Sequence, residues 1–258
     1  MPTEPRFSIV TCTWNSAATL GATLASLESQ SWRDFEHVFV DGGSNDGTLD
    51  MLAAYARHAP ASRRILRDVG GGIGRAMNQG IAAARGAIVA HLHADDYYAG
   101  PEVLAQVARR FEATGAAWVV GKIQVLKEGR LAPPCPMRPF SYRAYAAGST
   151  TIPHPAVFVR RDCFARVGVF DPGLRYAMDI DLWLRLAAVA TPAQLDATLA
   201  VFREHGGSVS SANKREARAE EFRVRRRHAR RAPLAFAMYC VRYLKRMHAL
   251  RAALAGAR

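Results

Sequence analysis

Two adjacent carboxylates, Asp95 and Asp96, follow a short apolar run that begins at Ile88. The run is entered through Gly86 and has the length and composition of a strand buried on both faces of a parallel sheet. Open α/β sheets bind ligands just beyond the carboxyl ends of their strands, where carboxylates can hold a hard divalent cation against a nucleotide diphosphate. Because aspartate is also common at helix N-caps and in turns, a purely local role stays open.

The elements that must position these carboxylates are visible in the first hundred residues. Apolar, β-rich segments alternate with segments of helical periodicity, which predicts a nucleotide-binding half-domain with a parallel sheet. The predicted strands are residues 7–13, 35–40, 64–67 and 88–95; the predicted helices are 17–29, a segment from Thr48, and 75–84. Loops rich in turn-forming residues, 41–47 and 70–74, follow the second and third strands.

The second half of the chain has a more mixed pattern. It predicts a long strand over 116–126 with a hairpin at 128–131, a proline-rich loop over 133–139, and strands at 156–159 and 199–203. A helix over 176–189 carries Asp179 and Asp181 at its start. Strands both before and after a helix indicate that the second half of the chain is a smaller layer of mixed strand and helix composition.

Length and cysteine usage limit the class of protein. A chain of 258 residues, 50% of them hydrophobic, can bury one core with a small appendage. The cysteines at 12, 135, 163 and 240 have no zinc-site spacing and are expected to be reduced, buried thiols. With neither a signal-peptide core nor an apolar run near the 18 or so residues of a spanning helix, the chain is predicted to be cytoplasmic or attached to a membrane from that side.

The positive charge is concentrated at the C-terminus. Residues 214–258 carry 14 Lys/Arg and 3 Glu, a net of +11, whereas residues 1–213 carry only +2. After Pro233, apolar residues recur at helical spacing among basic ones, which predicts a basic amphipathic helix lying in an anionic membrane interface. A helix docked on the domain with a solvated basic face is the alternative. A nucleic-acid-binding tail is less favoured, because it would leave the apolar stripe without a use.

Seven motifs occur in an order that resembles family 2 glycosyltransferases, which are inverting enzymes with the GT-A fold. The resemblance is strongest to the branch that builds bacterial capsular, exopolysaccharide and O-antigen repeat units, and it covers about residues 6–208. The motifs span residues 8–15, 40–48, 76–81, 93–97, 154–158, 168–171 and 179–185.

The resemblance implies an α/β fold of the GT-A type: a Rossmann-like nucleotide-binding sheet fused to a smaller acceptor-side mixed sheet, followed by C-terminal basic amphipathic helices. The expected domain is 1–211, with a nucleotide-sugar-binding half over about 6–97 and an acceptor and catalytic half over 98–211. Residues 212–258 form the expected helical extension.

The resemblance also implies a donor site. Asp41 would accept a hydrogen bond from the donor's base, although a turn or N-cap role is open for it. Asp95 matches the last carboxylate of the family's DxD element and would bind Mg²⁺ or Mn²⁺, with Asp96 as a weaker metal candidate. The other residues expected to bind the nucleotide sugar are Thr11, Asn15 (which could equally be a cap), Arg75, Asn78 and His93.

On the acceptor side, Asp179 matches the family's catalytic aspartate and would take the proton of the attacking hydroxyl. Asp181 is the rival candidate, and both carboxylates could merely complement the helix dipole. His154 matches a family histidine near the acceptor, but a loop histidine without a role in binding is equally open.

The chain departs from the family pattern at several positions. His93 stands at the first position of the DxD element, Gly70 where an acidic residue is common, and Gly74-Arg75 where Tyr-Asp is common. Arg75 could instead contact a phosphate at a helix N-terminus. The Gln-x-x-Arg-Trp element of processive synthases is missing, which favours transfer of a single sugar.

These observations predict a metal-dependent inverting glycosyltransferase. The expected donor is a nucleotide diphosphate sugar, with UDP as the expected nucleotide, and the expected acceptor is a polyprenyl-diphosphate-linked or soluble saccharide. The expected location is the cytoplasm, peripherally on the inner face of the plasma membrane, with no nucleic-acid partner. The alternatives are a catalytically degenerate nucleotide-sugar-binding scaffold and, less favoured, a nucleic-acid-binding protein.

Overall fold

Four parallel strands form the N-terminal half of a mixed sheet. They are β1 (Phe7–Thr13), β2 (Phe35–Asp41), β3 (Arg63–Leu66) and β4 (Ile88–His91), in the spatial order β3-β2-β1-β4. The computed structural model describes residues 4–59, 61–204 and 213–255. All seven residues of β1 are buried, as expected for a strand covered on both faces.

Three helices connect these strands: α1 (Ala17–Glu28), α2 (Thr48–Arg57) and α3 (Ile73–Ala83). The third lies so close to β1 that a methyl group on Gly80 would come within 2.2 Å of Val10 Cγ1. Helix α3 begins two residues earlier than predicted, because Gly72, at a φ of 87°, lets the chain turn directly into the helix.

The second half supplies the strands that extend the sheet. They are β5 (Tyr97–Tyr98), β6 (Trp118–Lys127), β7 (Arg130–Leu131), β8 (Val157–Arg160) and β9 (Ala193–Glu204). The helices among them are α4 (Val103–Thr114), α5 (Tyr142–Ala146), α6 (Asp162–Val167) and α7 (Met178–Val189). Strand β8 pairs antiparallel with both β4 and β6, so the two predicted layers are one continuous sheet of nine strands.

Two C-terminal helices complete the described chain: α8 (Lys214–Arg227) and α9 (Pro233–Ala255). They dock on the second half and bury Val224, Ala235 and Tyr239. The predicted boundary between residues 211 and 212 lies outside the described residues. None of the described helices combines the length and apolar character needed to cross a bilayer.

Several expectations need correction. Strand β4 ends at His91 and does not reach Asp95. The reason is that the hydroxyl of Thr11 donates a hydrogen bond to the carbonyl of Leu92 at 2.7 Å. The chain then turns, and the amide of Asp96 donates to the carbonyl of His93. Helix α4 was not predicted, and β9 begins six residues before the predicted strand. Of the four free thiols, Cys12 and Cys163 are buried, but Cys135 is exposed.

Candidate functional site

Asp41, at the carboxyl end of β2, organises the loop that follows it. Its Oδ1 accepts hydrogen bonds from the amides of Gly43 and Ser44, at 2.9 and 2.8 Å. Its Oδ2 accepts from the hydroxyls of Thr13 and Ser44, at 2.7 and 2.6 Å. Burial acts to raise the pKa of Asp41, but these hydrogen bonds outweigh it and hold the pKa below its usual range. The turn-forming role is confirmed, and a contact with the donor's base stays a prediction.

The end of β1 is fastened to the same loop. Asn15, at a φ of 48°, accepts a hydrogen bond from the amide of Asn45 at 2.9 Å, and its own amide donates to Ser44 Oγ at 2.9 Å. Next to it, the indole of Trp14 is 70% exposed. Sequence reasoning missed Trp14, although an aromatic residue at a strand end is the available signal.

Thr11 is packed inside the sheet and not at this edge, which gives no support to the prediction that it contacts the nucleotide. Its side chain is fully buried, with the hydroxyl bonded to the carbonyl of Leu92 and 2.8 Å from Nε2 of His37. The reason is its position in the middle of β1, two residues before the strand ends. Thr11 therefore shapes the end of β4 and leaves no hydroxyl for a nucleotide.

Asp95 and Asp96 face different surroundings in the turn after β4. Asp96 is buried, and its Oδ1 accepts a hydrogen bond from the amide of Arg203 at 3.1 Å. Burial, reinforced by the neighbouring Asp95, raises the pKa of Asp96 well above its usual range. Its burial and its hydrogen bond from the amide of Arg203 favour Asp95 over Asp96 as a metal ligand, and both stay predictions. Asp95 is only partly buried and stays the metal candidate.

Asp95 fits a metal ion that arrives with the substrate better than a resident one. Across the part of the chain that the structure describes, no group of three or more His, Cys, Asp or Glu side chains could hold a metal ion. Mg²⁺, however, is commonly bound through one or two carboxylates together with substrate phosphates and water. A single carboxylate at a strand edge meets that requirement.

Three histidines, of which His91 is buried and His93 and His154 are partly buried, connect the turn after β4 to the second half. The ring of His93 stacks on that of His154, with centroids 4.9 Å apart and an interplanar angle of 5°. The ring of His91 lies 5.6 Å from that of His154. Burial lowers the pKa of all three, that of His91 to about 3, so the rings are neutral near pH 7. The contact joins the turn that carries Asp95 to the segment before β8.

Asp179 lines a cavity that adjoins this histidine contact. The cavity has a volume of about 350 Å³ and is lined by His154 as well as by Asp179. Burial raises the pKa of Asp179 to about 6, and the nearby Glu221 adds to the rise while hydrogen bonding to the amide of Ile180 opposes it. A carboxylate with this pKa is suited to accept a proton near neutral pH.

Asp181 is committed to structural contacts instead. Its Oδ2 accepts from Nε of Arg185 at 2.8 Å, and its Oδ1 lies 3.5 Å from Nε2 of His228. Arg185 in turn donates to the carbonyl of Val169 at 2.8 Å. The carboxylate of Asp181 thus connects the segment before α7 to the start of the helix, and these contacts favour Asp179 over Asp181 as the base, which stays a prediction.

Two further candidates on α3 differ in the same way. Both polar atoms of the Asn78 side chain are hydrogen bonded to the main chain of Phe170, at 2.8 and 3.0 Å, so Asn78 connects the two halves of the chain. These contacts give no support to the prediction that it binds the nucleotide. Arg75 is exposed in the first turn of α3, beside Gly71. Its contact with a phosphate stays a prediction.

Glu220 of α8 is the site-forming residue that sequence reasoning missed. One oxygen of its buried carboxylate accepts hydrogen bonds from the backbone amides of Arg175, Tyr176 and Ala177, at 2.9, 2.5 and 2.8 Å. These amides immediately precede α7, so the carboxylate also complements the helix dipole and fixes the start of the helix that carries Asp179. No sequence signal links a glutamate at 220 to amides more than forty residues earlier.

With this geometry in view, comparisons with known proteins identify the family. The Glycosyl transferase family 2 profile matches residues 8–165. The chain belongs to this family. An uncharacterized glycosyltransferase of Mycobacterium tuberculosis is 32% identical over 210 residues, covering 80% of this chain and 78% of that protein. A PGL/p-HBAD biosynthesis glycosyltransferase of Mycobacterium bovis is 33% identical over 215 residues, covering 79% of this chain and 78% of that protein.

Solved structures agree with the GT-A fold. Staphylococcus aureus TarS 1–349 in complex with UDP-GlcNAc has a TM-score of 0.71 at 21% identity, covering 85% of this chain and 65% of that one. A mannosyltransferase from Pyrobaculum calidifontis in complex with GDP-Man and Mn²⁺ has a TM-score of 0.66 at 19% identity, covering 99% of this chain and 80% of that one. The predicted family and fold are thus confirmed, and this family 2 enzyme is a glycosyltransferase.

The Glu220 contacts generate a stability prediction. Glu220→Gln removes the charge that three backbone amides share, and we expect it to lower the free energy of unfolding by about 1–3 kcal/mol, the usual cost of impairing charged hydrogen bonds. Urea denaturation measures this loss. Glu216→Gln, on an exposed position of the same helix, is the matched control and should change stability by less than about 0.5 kcal/mol. Equal midpoints for both variants would contradict the role given to Glu220.

Proposed function

We propose that this enzyme transfers a single sugar, with inversion, from a UDP-sugar to a saccharide carried on a polyprenyl diphosphate at a membrane surface. The observation that carries the proposal is the stack of His93 on His154. It brings the turn with Asp95 and the cavity with Asp179 next to each other, as a donor site and an acceptor site must be.

The donor half has groups suited to each part of a nucleotide diphosphate. The exposed indole of Trp14 offers a flat apolar surface to a base beside the Asp41 loop. Arg75, in the first turn of α3, offers a guanidinium to a phosphate at a helix N-terminus. Solved relatives by fold contain UDP-GlcNAc in one case and GDP-Man with Mn²⁺ in another, which supports a donor of this class.

Asp95 would hold Mg²⁺ or Mn²⁺ together with the donor's diphosphate. When bound, such an ion offsets the negative charge that builds on the departing diphosphate. The neutral histidines behind Asp95 add no positive charge that would compete with the ion. Asp179 would accept the proton of the acceptor hydroxyl as that oxygen attacks the anomeric carbon from the side opposite the diphosphate. Attack from that side inverts the configuration.

The last helix supports a membrane-bound acceptor. Leu234, Met238, Val241 and Leu244 of α9 are spaced three or four residues apart and are all exposed, Leu234 by 80%. Arg242 and Lys245 lie among them, and Tyr239 on the opposite face is buried against the domain. An exposed apolar stripe with basic neighbours is suited to the interface of an anionic bilayer. The docked-helix alternative thus describes one face of α9, and the membrane proposal concerns the other.

The raised pKa of Asp179 generates a prediction of pH dependence. Only the deprotonated carboxylate can act as the base, so kcat/KM for donor turnover should fall as the pH drops below about 6. Asp179→Asn should lose about 10²–10⁴-fold in kcat. Glu221→Gln removes a charge that raises this pKa, so the acid limb should move to lower pH. The assay is metal-dependent hydrolysis of a panel of UDP-sugars between pH 4.5 and 8.5.

Three variants control this experiment. Asp50→Asn, at an exposed position of α2, should behave as the parent. Asp95→Asn should abolish the response to Mn²⁺, whereas Asp96→Asn should affect stability more than metal response. Full activity in Asp179→Asn would refute the assignment of the base, and donor binding without turnover in the parent enzyme would favour the scaffold alternative.

The exposed stripe of α9 generates a prediction about vesicle binding. Met238→Glu and Val241→Glu should each reduce binding to phosphatidylglycerol-containing vesicles about tenfold or more in co-sedimentation, because each places a charge in the apolar contact. Leu131→Glu, at another exposed apolar position, is the control and should bind as the parent does. Deleting residues 214–258 is a poorer test, because it removes Glu220 and Tyr239 from the folded domain. Unchanged sedimentation of both stripe variants would contradict the proposal.

A further inference from the structure

We infer that the acceptor site has a phosphate-binding end, in which Arg246 of α9 and Arg138 of the proline-rich loop hold a phosphate or diphosphate group of the acceptor. This inference rests on the proposed function, since it assigns a second part of the same acceptor site. It names two arginines that no sequence pattern singled out.

Two cavities adjoin beside Asp179. The first, of about 350 Å³, contains Asp179 and His154 in its wall. The second has a volume of about 400 Å³ and contains Lys122 and Arg138. Both are lined by Ile123, by most of the segment 148–153 and by Arg246, so they form one elongated groove that starts at Asp179. Their size is in the range of small-molecule sites.

The charge along this groove is asymmetric. Two carboxylates, Asp179 and Glu221, line the first cavity together with Arg225 and Arg246, so its formal charges balance. Among the described residues, no acidic side chain lines the second cavity, whereas three basic ones do: Lys122, Arg138 and Arg246. The groove therefore offers a proton acceptor at one end and an excess of positive charge at the other. A sugar hydroxyl suits the first end, and an anion suits the second.

Arg246 is held loosely enough to bind a ligand. Its nearest carboxylate contact is with Glu221, at 3.9 Å, its hydrogen bond to the carbonyl of Gly148 is 3.4 Å long, and its side chain is 40% exposed. Arg225, in the same region, is different: it is buried and bonds Glu221 at 2.8 Å and the carbonyl of Ala146 at 3.2 Å. Arg225 is thus a structural cation, and Arg246 is the available one.

The other two cations complete the positive end. Lys122 pairs with Asp196 at 2.8 Å, but Asp196 is 81% exposed, and exposed pairs contribute little. Arg138 is exposed on the loop that closes the second cavity. A guanidinium can bind two phosphate oxygens at once, so a pair of arginines is well matched to a phosphate ester.

The position of Arg246 also links this end of the groove to the membrane-facing helix. Arg246 lies seven residues after Tyr239, which is on the docked face of α9, and that spacing places both residues on one side of the helix. The apolar stripe occupies the other side. A lipid diphosphate that stays in the bilayer would therefore reach the groove along the helix that touches the bilayer.

The test measures binding of geranyl diphosphate to the full chain saturated with UDP and Mg²⁺, by calorimetry. Arg246→Gln and Arg138→Gln should each weaken binding about tenfold or more, the loss expected when one charged, bidentate contact is removed. Arg226→Gln, which removes the same charge from an exposed position of α8 outside both cavities, should bind as the parent does. A UDP titration of each variant verifies that its donor half is folded.

Three results would overturn the inference. The first is no binding by the parent. The second is equal weakening in Arg226→Gln and Arg246→Gln, which would mean that only net charge matters. The third is competition by glycerol phosphate as strong as that by inorganic diphosphate, which would assign the site to phospholipid headgroups. Donor hydrolysis by the parent is measured alongside. If it is absent, the proposed function fails; if it is present and binding is insensitive to Arg246, only this inference fails.

Discussion

The contact on which the catalytic half depends is the buried carboxylate of Glu220 and the three amides it accepts before α7. Without this partner, the buried amide of Ala177 would be left unsatisfied, at a cost of about 1–3 kcal/mol, and the two part-buried amides would lose a charged acceptor. With the partner, the first turn of α7 and its Asp179 are fixed. The carboxylate comes from α8, so the C-terminal helices help to hold the helix that carries Asp179 and are part of the folded domain.

The ring contacts among His91, His93 and His154 are the second interaction on which the site depends. Stacked neutral rings can be packed between two halves of an enzyme without the cost of burying charge. The resemblance to family 2 glycosyltransferases leads us to expect an aspartate where His93 stands, so we propose that Asp95 carries the negative charge that would bind the metal ion. The same substitution places His93 against His154. A histidine at position 93 therefore supplies one carboxylate fewer than an aspartate would, but it adds a direct ring contact between the proposed donor and acceptor sides.

Much of the fold could be predicted from local patterns. The strand at Phe7–Thr13 and the loop after Asp41 follow from apolar runs that end in turn-forming residues. What could not be predicted depends on contacts between distant residues. Asp95 and Asp96 are adjacent in sequence, but an amide from β9 turns one of them into the interior. Asp179 and Asp181 lie in the first turn of the same helix, but the contacts with Arg185 and His228 are made by Asp181 and not by Asp179.

The central claim is that Asp179 acts from the side of the sugar opposite the diphosphate held at Asp95. The most direct measurement is proton NMR of the free sugar released when the enzyme hydrolyses its α-linked UDP-sugar in the presence of Mn²⁺, recorded before the anomers equilibrate. Water activated by Asp179 should give the β-anomer first, and Asp95→Asn should release neither anomer. First appearance of the α-anomer would mean that the nucleophile attacks from the diphosphate side, and it would contradict the account.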